Sequence, residues 1–352
     1  MTPDAHLHNA RVLHIVHGEC GAMPWPHPRG HGTGEAELTA CAGIVRACHG
    51  FNHDVIVLGG SRDSERCVRL GLGRHWRVTP GALGREGRSL IRCVDRLARP
   101  GVIMAWGRLA GLLARDCLAG VAPVVSVDFH AGMLMGDSGL NEPLSPSLVD
   151  GTDEDRGVIR RRLGLTGTDM ALGLLDDPAD AGDAVGFLFI AGVLRVAGIR
   201  VAAVLSRRTH GYETAMRHVR EIGYVSRVIA TDLPLAWIAR GADMCIAGAR
   251  QDAHERPPRF GEMALASIAA RACVATIMNE GSQLDHTGYP ALLRARTSRP
   301  TEFARRLVPL LTEPHARENA GAAARAWAEQ AGPMHAQVMR AWEQALGAGA
   351  LR

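Results

Sequence analysis

The chain has 352 residues, of which 47% are hydrophobic and 22% are charged. This composition is typical of a globular protein, and the length predicts two domains at about 100–200 residues each. Every basic side chain is an arginine, because the sequence contains no lysine. The lack of lysine excludes a lysine Schiff base and a P-loop, whose lysine contacts the phosphates.

The net charge, the cysteines and the histidines indicate which partners, cellular compartment and metal sites to expect. A formal net charge of +4 is mild, and the arginines are not clustered with aromatic residues, so no nucleic-acid partner is predicted. The eight cysteines form no C-x-x-C pair, and several lie in apolar segments, which indicates buried thiols in a reducing compartment. The histidines near the start lack cysteine or carboxylate partners at ligand spacing, so no metal site is predicted.

Targeting signals are not evident in the sequence. The first residues lack the basic and then apolar order of a signal peptide, and the longest apolar region, 184–205, is interrupted by arginines and glycines. We therefore expect a cytoplasmic protein. Peripheral attachment to the inner face of a membrane stays open, because several arginines of the first half share one possible helix face. A solvated helix face is the favoured explanation of these arginines.

The first half alternates strands and helices. Apolar runs at 11–17 and 53–60 predict strands, and apolar residues from Leu38 to Val45 follow helical spacing between them. Such a βαβ unit implies a parallel sheet. The glycine-rich stretch 30–37 lies between the first strand and the helix, where backbone amides of Gly32 and Gly34 can face a ligand. A simple flexible connection is the alternative.

The alternation predicts two domains in succession. A strand at 102–106, a helix at 110–119 and a strand at 123–130 are followed by a Gly/Pro/Ser/Asp-rich segment, 131–157, which we interpret as an interdomain connection. The alternation then restarts and continues to about residue 278. We predict two doubly wound α/β domains, 1–150 and 151–330, facing each other across a cleft. A C-terminal helix at 331–352 is expected to pack back on the first domain.

The stretch 241–278 is the main candidate for ligand binding. It predicts a strand at 244–247, a polar loop at 250–260, a helix at 261–270 and a strand at 274–278. In an open parallel sheet, the loop that leaves a strand and the start of the next helix lie at the carboxyl edge, where ligands bind.

Several short stretches follow the order and spacing of a known family. They are G-E-A-E at 34–37, N-H-D-V at 52–55, R-L-G-L at 162–165 and G-A-D at 241–243. On these stretches the chain resembles retaining glycosyltransferases of the GT-B fold, in particular glycosyltransferase family four. The resemblance implies a nucleotide diphosphate sugar as donor, a glycan or lipid as acceptor, and no metal or other cofactor.

The carboxylates of the family pattern E-G-F-G-x-x-x-L-E-A are replaced in this chain. Phe260, Gly261 and Leu265 match the pattern, and the resemblance implies that Phe260 and Gly261 contact the donor. The two acidic positions fall on Pro258 and Ala266, and a methyl group cannot accept from ribose hydroxyls. Glu255 and Glu262 lie close to these two positions in the sequence and are the candidate replacements for the missing carboxylates. Glu262 also fits a purely electrostatic role at the start of a helix.

The diphosphate ligands of the family are also replaced. The family's arginine falls on Leu174, and three aspartates follow it within 176–180, where negative charge opposes a diphosphate. Arg207 and Arg208 follow a predicted strand at the same sheet edge and are the candidate replacement cations. A pair of solvated loop arginines is the alternative.

The family's sugar-binding histidine falls on Asp128, with His130 two residues further on. A shift of two residues keeps the same face of an extended strand, so either side chain can hydrogen-bond a sugar hydroxyl. An ordinary loop histidine is the alternative reading of His130.

Two main hypotheses follow. The first is a divergent glycosyltransferase that transfers a hexose from a nucleotide sugar. The second is a non-catalytic relative that binds or scaffolds an active transferase. A nucleotide-sugar epimerase is a third possibility, because such enzymes share the two-domain architecture.

Overall fold

The computed structural model describes residues 10–17, 35–59, 61–72, 75–78, 83–129, 131–137, 139–148, 154–167, 169–175, 183–209, 211–221, 227–247, 260–279, 287–295 and 300–350. The chain divides into two compact units. The first comprises Met1–Thr152 and Pro333–Arg352, and the second comprises Asp153–Gly332.

The first unit is built on a mixed sheet with strand order β3-β2-β1-β4-β5-β6-β7, in which β1 to β5 are parallel. Its elements are β1 (Arg11–His17), α1 (Glu35–Ala47), β2 (Asn52–Leu58), α2 (Ser61–Arg69), β3 (His75–Val78), α3 (Leu83–Val94), β4 (Val102–Trp106), α4 (Arg108–Leu118), β5 (Val124–Asp128), β6 (Met133–Gly136) and β7 (Asn141–Pro143).

The segment 131–157 is not simply a connection between domains. Its first part forms β6 and β7, which extend the sheet by antiparallel pairing. The glycines and prolines of this segment obscure the strands in the sequence, because both strands are short and lie at the edge of the sheet.

The second unit is built on a parallel sheet with strand order β10-β9-β8-β11-β12-β13. Its elements are α5 (Arg156–Arg162), β8 (Ala171–Leu175), α6 (Asp183–Val196), β9 (Ala202–Ser206), α7 (Tyr212–Glu221), β10 (Val228–Thr231), α8 (Leu235–Gly241), β11 (Met244–Ala247), α9 (Phe260–Arg271), β12 (Ala275–Asn279), β13 (Arg294–Ala295), α10 (Pro300–Thr312) and α11 (Pro314–Gln330).

The central strands are buried along their whole length. All residues of β4, β8, β9, β11 and β12 are buried. Strands of a parallel sheet that is covered on both faces are continuous apolar runs, which is the pattern seen here. The prediction of two doubly wound α/β domains is therefore confirmed.

The last helix, α12 (Met334–Ala350), belongs to the first unit. The backbone N–H of Met334 donates to the Ser147 carbonyl at 2.8 Å, and the Gln337 side chain accepts from the Ser145 backbone N–H at 2.7 Å. Further along, the buried Trp342 places its indole Nε1 3.4 Å from the sulfur of Met104 on β4. These contacts fix the helix against the sheet.

A chain of hydrogen bonds between two histidines lies under α12. The indole Nε1 of Trp106 donates to His14 Nδ1 at 3.1 Å, because an indole nitrogen can only donate. His14 Nε2 lies 2.9 Å from His53 Nδ1, and His53 Nε2 lies 2.8 Å from the Cys48 carbonyl, which can only accept. Both rings therefore carry their proton on Nε2, and each Nδ1 is an acceptor.

The surroundings of the pair favour neutral rings. Burial lowers the pKa of His14 well below its ordinary value, and the facing His53 lowers it further. Burial also lowers the pKa of His53, against the opposite effects of the Cys48 carbonyl and Asp54. The Trp342 ring contacts both imidazoles, at centroid distances of 5.7 Å and 6.0 Å. Each Nδ1 accepts a hydrogen bond, so a proton added there would point at the N–H group that donates to it.

A second polar network lies at the amino ends of β8 and β11. The Asp243 carboxylate accepts from Arg156 at 2.9 Å, from Arg160 at 3.1 Å and from the backbone N–H of Ala171 at 2.8 Å. Arg160 also donates to the Gly241 carbonyl at 3.0 Å. Helix α5 is thereby attached to the start of both central strands. The G-A-D stretch at 241–243 is part of this structural network, at the edge opposite the strand ends where ligands bind.

We expect acid to destabilise the first unit through the histidine pair. Below about pH 6.5 the unfolded chain takes up protons on histidine that the folded state does not, so stability falls as the pH falls. Each histidine can lower the unfolding free energy by at most about 1.4 kcal/mol per pH unit. Urea unfolding followed by tryptophan fluorescence should show a loss of about 1–3 kcal/mol between about pH 7.5 and about pH 5.5.

A His14→Gln variant is the control for this prediction. Glutamine keeps a donor and an acceptor but does not titrate. The variant should lose about half of the pH dependence. An unchanged pH dependence in this variant would contradict the assignment.

Replacing Asp243 tests the second network. Asp243→Asn leaves Arg156 and Arg160 without their counter-ion, so we expect a loss of about 1–3 kcal/mol in unfolding free energy. Asp232→Asn is the matched control, because Asp232 forms an exposed ion pair with Arg207 at 3.2 Å, and exposed pairs contribute about 0–1 kcal/mol. Urea unfolding of both variants compares the two losses. Equal losses would show that the Asp243 network does not stabilise the sheet.

Candidate functional site

The strand order of the second unit defines where a ligand would bind. Strand β8 lies between β9 and β11, and the chain leaves β8 and β11 toward opposite sides of the sheet. A crevice opens at the carboxyl ends of such a strand pair. Here β8 ends at Leu175 and β11 ends at Ala247. The loops that follow, 176–182 and 248–259, lie outside the described residues.

Helix α9 begins at this edge. Phe260 and Gly261 are its first two residues and are partly exposed, whereas Glu262 in the same turn is buried, with 2% of its surface exposed. A carboxylate needs no burial to interact with the helix dipole, and burial costs several kcal/mol unless the carboxylate is hydrogen-bonded. The electrostatic role and the ligand role of Glu262 both stay predictions. Ala266, one turn further on, is buried too.

The two candidate phosphate-binding arginines have different environments. Arg207 is exposed, and its guanidinium pairs with Asp232, just beyond the end of β10, at 3.2 Å. Arg208 has two buried guanidinium nitrogens, Nε and Nη1, and its backbone N–H donates to Ser206 Oγ at 3.2 Å. Thr209 is 3% exposed. Ser206, Arg208 and Thr209 therefore form a largely buried polar group at the carboxyl end of β9, which we call the β9 polar cluster.

Several predicted site positions lie outside the described residues. They are Gly32, Gly34, His130, Glu255 and the aspartates of 176–180. Their predicted roles stay predictions.

Asp128 is the last residue of β5, in the first unit. Its carboxylate oxygen Oδ1 accepts from the backbone N–H of Ala131 at 3.0 Å, at the turn into β6. The carboxylate therefore stabilises this turn, and its predicted contact with a sugar hydroxyl stays a prediction.

The first unit has a buried carboxylate at its ligand edge that was not singled out in the sequence as a site residue. Glu37 on α1 is 6% exposed and lies against Gly107, where the chain passes from β4 to α4. A Cβ on Gly107 would lie 3.4 Å from Glu37 Oε1. Strands β1 and β4 are neighbours at the point where the strand order of this sheet reverses, so Glu37 lies at the ligand edge of the first unit. The signal in the sequence that could have identified Glu37 is the G-E-A-E stretch at 34–37.

Metal-binding clusters of three or more His, Cys, Asp or Glu residues do not occur among the residues that the structure describes. Within the same residues, no helix is long and apolar enough to cross a membrane.

Known proteins are similar to this chain in structure. HepE from Anabaena, in complex with UDP and glucose, aligns with a TM-score of 0.60 at 12% identity, covering 95% of this chain and 100% of that one. UDP-GlcNAc 2-epimerase from Neisseria meningitidis, bound to UDP-GlcNAc, aligns with a TM-score of 0.55 at 10% identity, over 95% and 100%. The glycosyltransferase SnogD from Streptomyces nogalater aligns with a TM-score of 0.52 at 14% identity, over 96% and 99%.

These similarities define the fold class. The chain has the GT-B-like fold of these proteins, with two α/β domains built on mainly parallel sheets and additional C-terminal helices. No protein-family model matches the sequence, and no curated protein matches it. The narrower resemblance to glycosyltransferase family four stays a prediction.

We expect Gly107 to be intolerant of a side chain. Its φ of 90° and ψ of 157° are reached almost only by glycine. Gly107→Ala should therefore lower the unfolding free energy by about 1–3 kcal/mol, measured by urea unfolding. Gly120→Ala is the control, because a Cβ there meets nothing within 4 Å. A Gly107→Ala protein as stable as the control would contradict the described turn.

Proposed function

We propose that this chain is a nucleotide-sugar enzyme that transfers a hexose from a nucleotide diphosphate sugar to a glycan or lipid acceptor. The observation that carries the proposal is the β9 polar cluster beside the switch point of a parallel sheet. Structurally similar proteins support it, since HepE holds UDP and glucose, and SnogD is a glycosyltransferase.

Arg208 is the proposed ligand of the donor diphosphate. A guanidinium binds phosphate oxygens through two parallel hydrogen bonds, and partial burial strengthens the interaction because water screens it less. Thr209 and Ser206 add hydroxyl groups beside it. Arg207 is directed to Asp232 and takes no part in this proposal.

Glu262 is the proposed carboxylate for the ribose hydroxyls. It stands at the start of α9, and the N-terminal end of a helix also favours the negative charge of a nearby diphosphate. Catalysis in such a site would rest on positioning the sugar and on stabilising the leaving diphosphate. Asp128, His130, Gly32, Gly34, Glu255, Phe260 and Gly261 stay as predicted contacts.

Nucleotide binding tests the phosphate site. We expect calorimetry to detect binding of one of UDP, GDP and ADP, and Arg208→Ala to weaken it by about tenfold or more, because a charged hydrogen bond is lost. Arg207→Ala is the matched control and should stay within about twofold. If no nucleotide binds at millimolar concentration, the enzyme proposal fails. If Arg207→Ala weakens binding more than Arg208→Ala does, the phosphate site is wrongly assigned.

The reaction products distinguish a transferase from an epimerase and from a protein that only binds the nucleotide sugar. Release of the nucleoside diphosphate only when an acceptor is present indicates transfer. Conversion of the donor sugar without an acceptor indicates an epimerase, which the similarity to UDP-GlcNAc 2-epimerase makes worth testing. Binding without either reaction indicates a non-catalytic binding or scaffolding partner.

A further inference from the structure

Ser64 and His75 form a hydrogen-bonded pair in the first unit. Ser64 lies on α2, and His75 is the first residue of β3, the outermost strand of the sheet. The serine oxygen Oγ lies 2.6 Å from His75 Nε2. Both residues are partly exposed, so solvent reaches the pair. A histidine beside a serine is the arrangement that activates a hydroxyl group as a nucleophile.

The turn between α2 and β3 holds the carbonyl group that orients His75. The backbone N–H of Gly71 donates to the Val68 carbonyl at 3.0 Å, and that of Leu72 donates to the Cys67 carbonyl at 2.8 Å. These two bonds form a Schellman motif, in which Gly71 takes a left-handed φ of 80° that glycine adopts without strain. The backbone of Leu72 is thereby fixed at the end of α2.

The Leu72 carbonyl determines which nitrogen of His75 carries the proton in the neutral ring. His75 Nδ1 lies 3.2 Å from this carbonyl oxygen, which can only accept a hydrogen bond. The proton is therefore on Nδ1, and Nε2 is the acceptor. The Ser64 hydroxyl must then donate to Nε2, so the serine proton points at a nitrogen that can take it up.

The arrangement has the three parts of a nucleophilic serine site. In such sites the serine donates to a histidine whose other nitrogen is held by a third group. Here the third group is the Leu72 carbonyl, and parallel pairing with Val55 on β2 fixes the backbone of His75. A bond that only attached α2 to β3 would serve in either direction. The direction set by Leu72 is the one that lets His75 remove the Ser64 proton.

The pair suits acyl transfer better than phosphoryl transfer. Attack on an ester carbonyl needs one nucleophile and one base, and it places negative charge on a single oxygen. Phosphoryl transfer spreads charge over three oxygens and normally relies on several positioned cations. An activated ester, whose leaving group departs as a stable anion, makes the smallest demand on the site, because the leaving group needs no proton from a general acid.

We propose that Ser64 is a reactive nucleophile that takes an acyl group from an activated ester, with His75 as its general base. Ser64 Oγ forms a bond to the carbonyl carbon while His75 Nε2 takes the hydroxyl proton. The bond from the carbonyl carbon to the leaving oxygen then breaks, and the leaving group departs as an anion. His75 releases its proton to water. Because the pair lies in the first unit, this inference does not depend on nucleotide binding by the second.

Acetylation by p-nitrophenyl acetate tests the proposal. The chain has no lysine, so no lysine amine competes for this reagent. We expect mass spectrometry of proteolytic fragments to find an acetyl ester on Ser64 and at most about a tenth as much on Ser89, an exposed serine on α3, because only Ser64 has a general base. The comparison is made within the unchanged chain, so it does not rely on the folding of a variant. Equal acetylation of the two serines would overturn the proposal.

Two variants separate the roles of the pair. His75→Gln keeps hydrogen-bonding groups but takes up no proton, so it should slow acetylation of Ser64 about a hundredfold. Ser64→Ala should remove the fast phase of p-nitrophenolate release, whereas Ser89→Ala, the matched control, should keep it. Circular dichroism checks that each variant is folded. The proposal also fails if His75→Gln is acetylated as fast as the unchanged chain, or if Ser64→Ala keeps the fast phase, because another group is then the nucleophile.

Discussion

The Asp243 carboxylate joins the two strands on which the second unit is built. It accepts from the first backbone N–H of β8, lies directly before β11, and holds two arginines of α5. Because strands of a parallel sheet run in one direction, attachment at their amino ends also determines where their carboxyl ends lie. The proposed binding edge therefore depends on a charge network at the opposite end of the sheet.

The separation between this supporting network and the proposed binding edge also explains which family-like stretches are present in the chain. The stretches R-L-G-L and G-A-D lie in or next to the network that supports the sheet, whereas the replaced positions belong to the binding edge. At that edge Ala266 offers only a methyl group, but Glu262 is a buried carboxylate and Arg208 a partly buried cation. The proposed site thus keeps the supporting framework and assigns the ligand contacts to different residues.

The fold was largely predictable because buried parallel strands leave a strong pattern. The continuous apolar runs of β1, β4 and β11 place these strands without reference to the rest of the chain. Strands β6 and β7 were missed, since short edge strands carry little apolar pattern. Side-chain environments were not predictable, because they depend on distant partners. The pairing of Arg207 with Asp232 and the contact of Trp342 with His14 link residues that only the fold brings together.

The central claim is that the carboxyl edge of the second sheet binds a nucleotide diphosphate. Hydrogen–deuterium exchange with and without UDP, GDP or ADP locates such a ligand directly, since bound backbone segments exchange more slowly. The account predicts slower exchange around residues 202–209 and 260–266, and unchanged exchange in 156–163 beside Asp243. Protection confined to other segments at a saturating nucleotide concentration would contradict it.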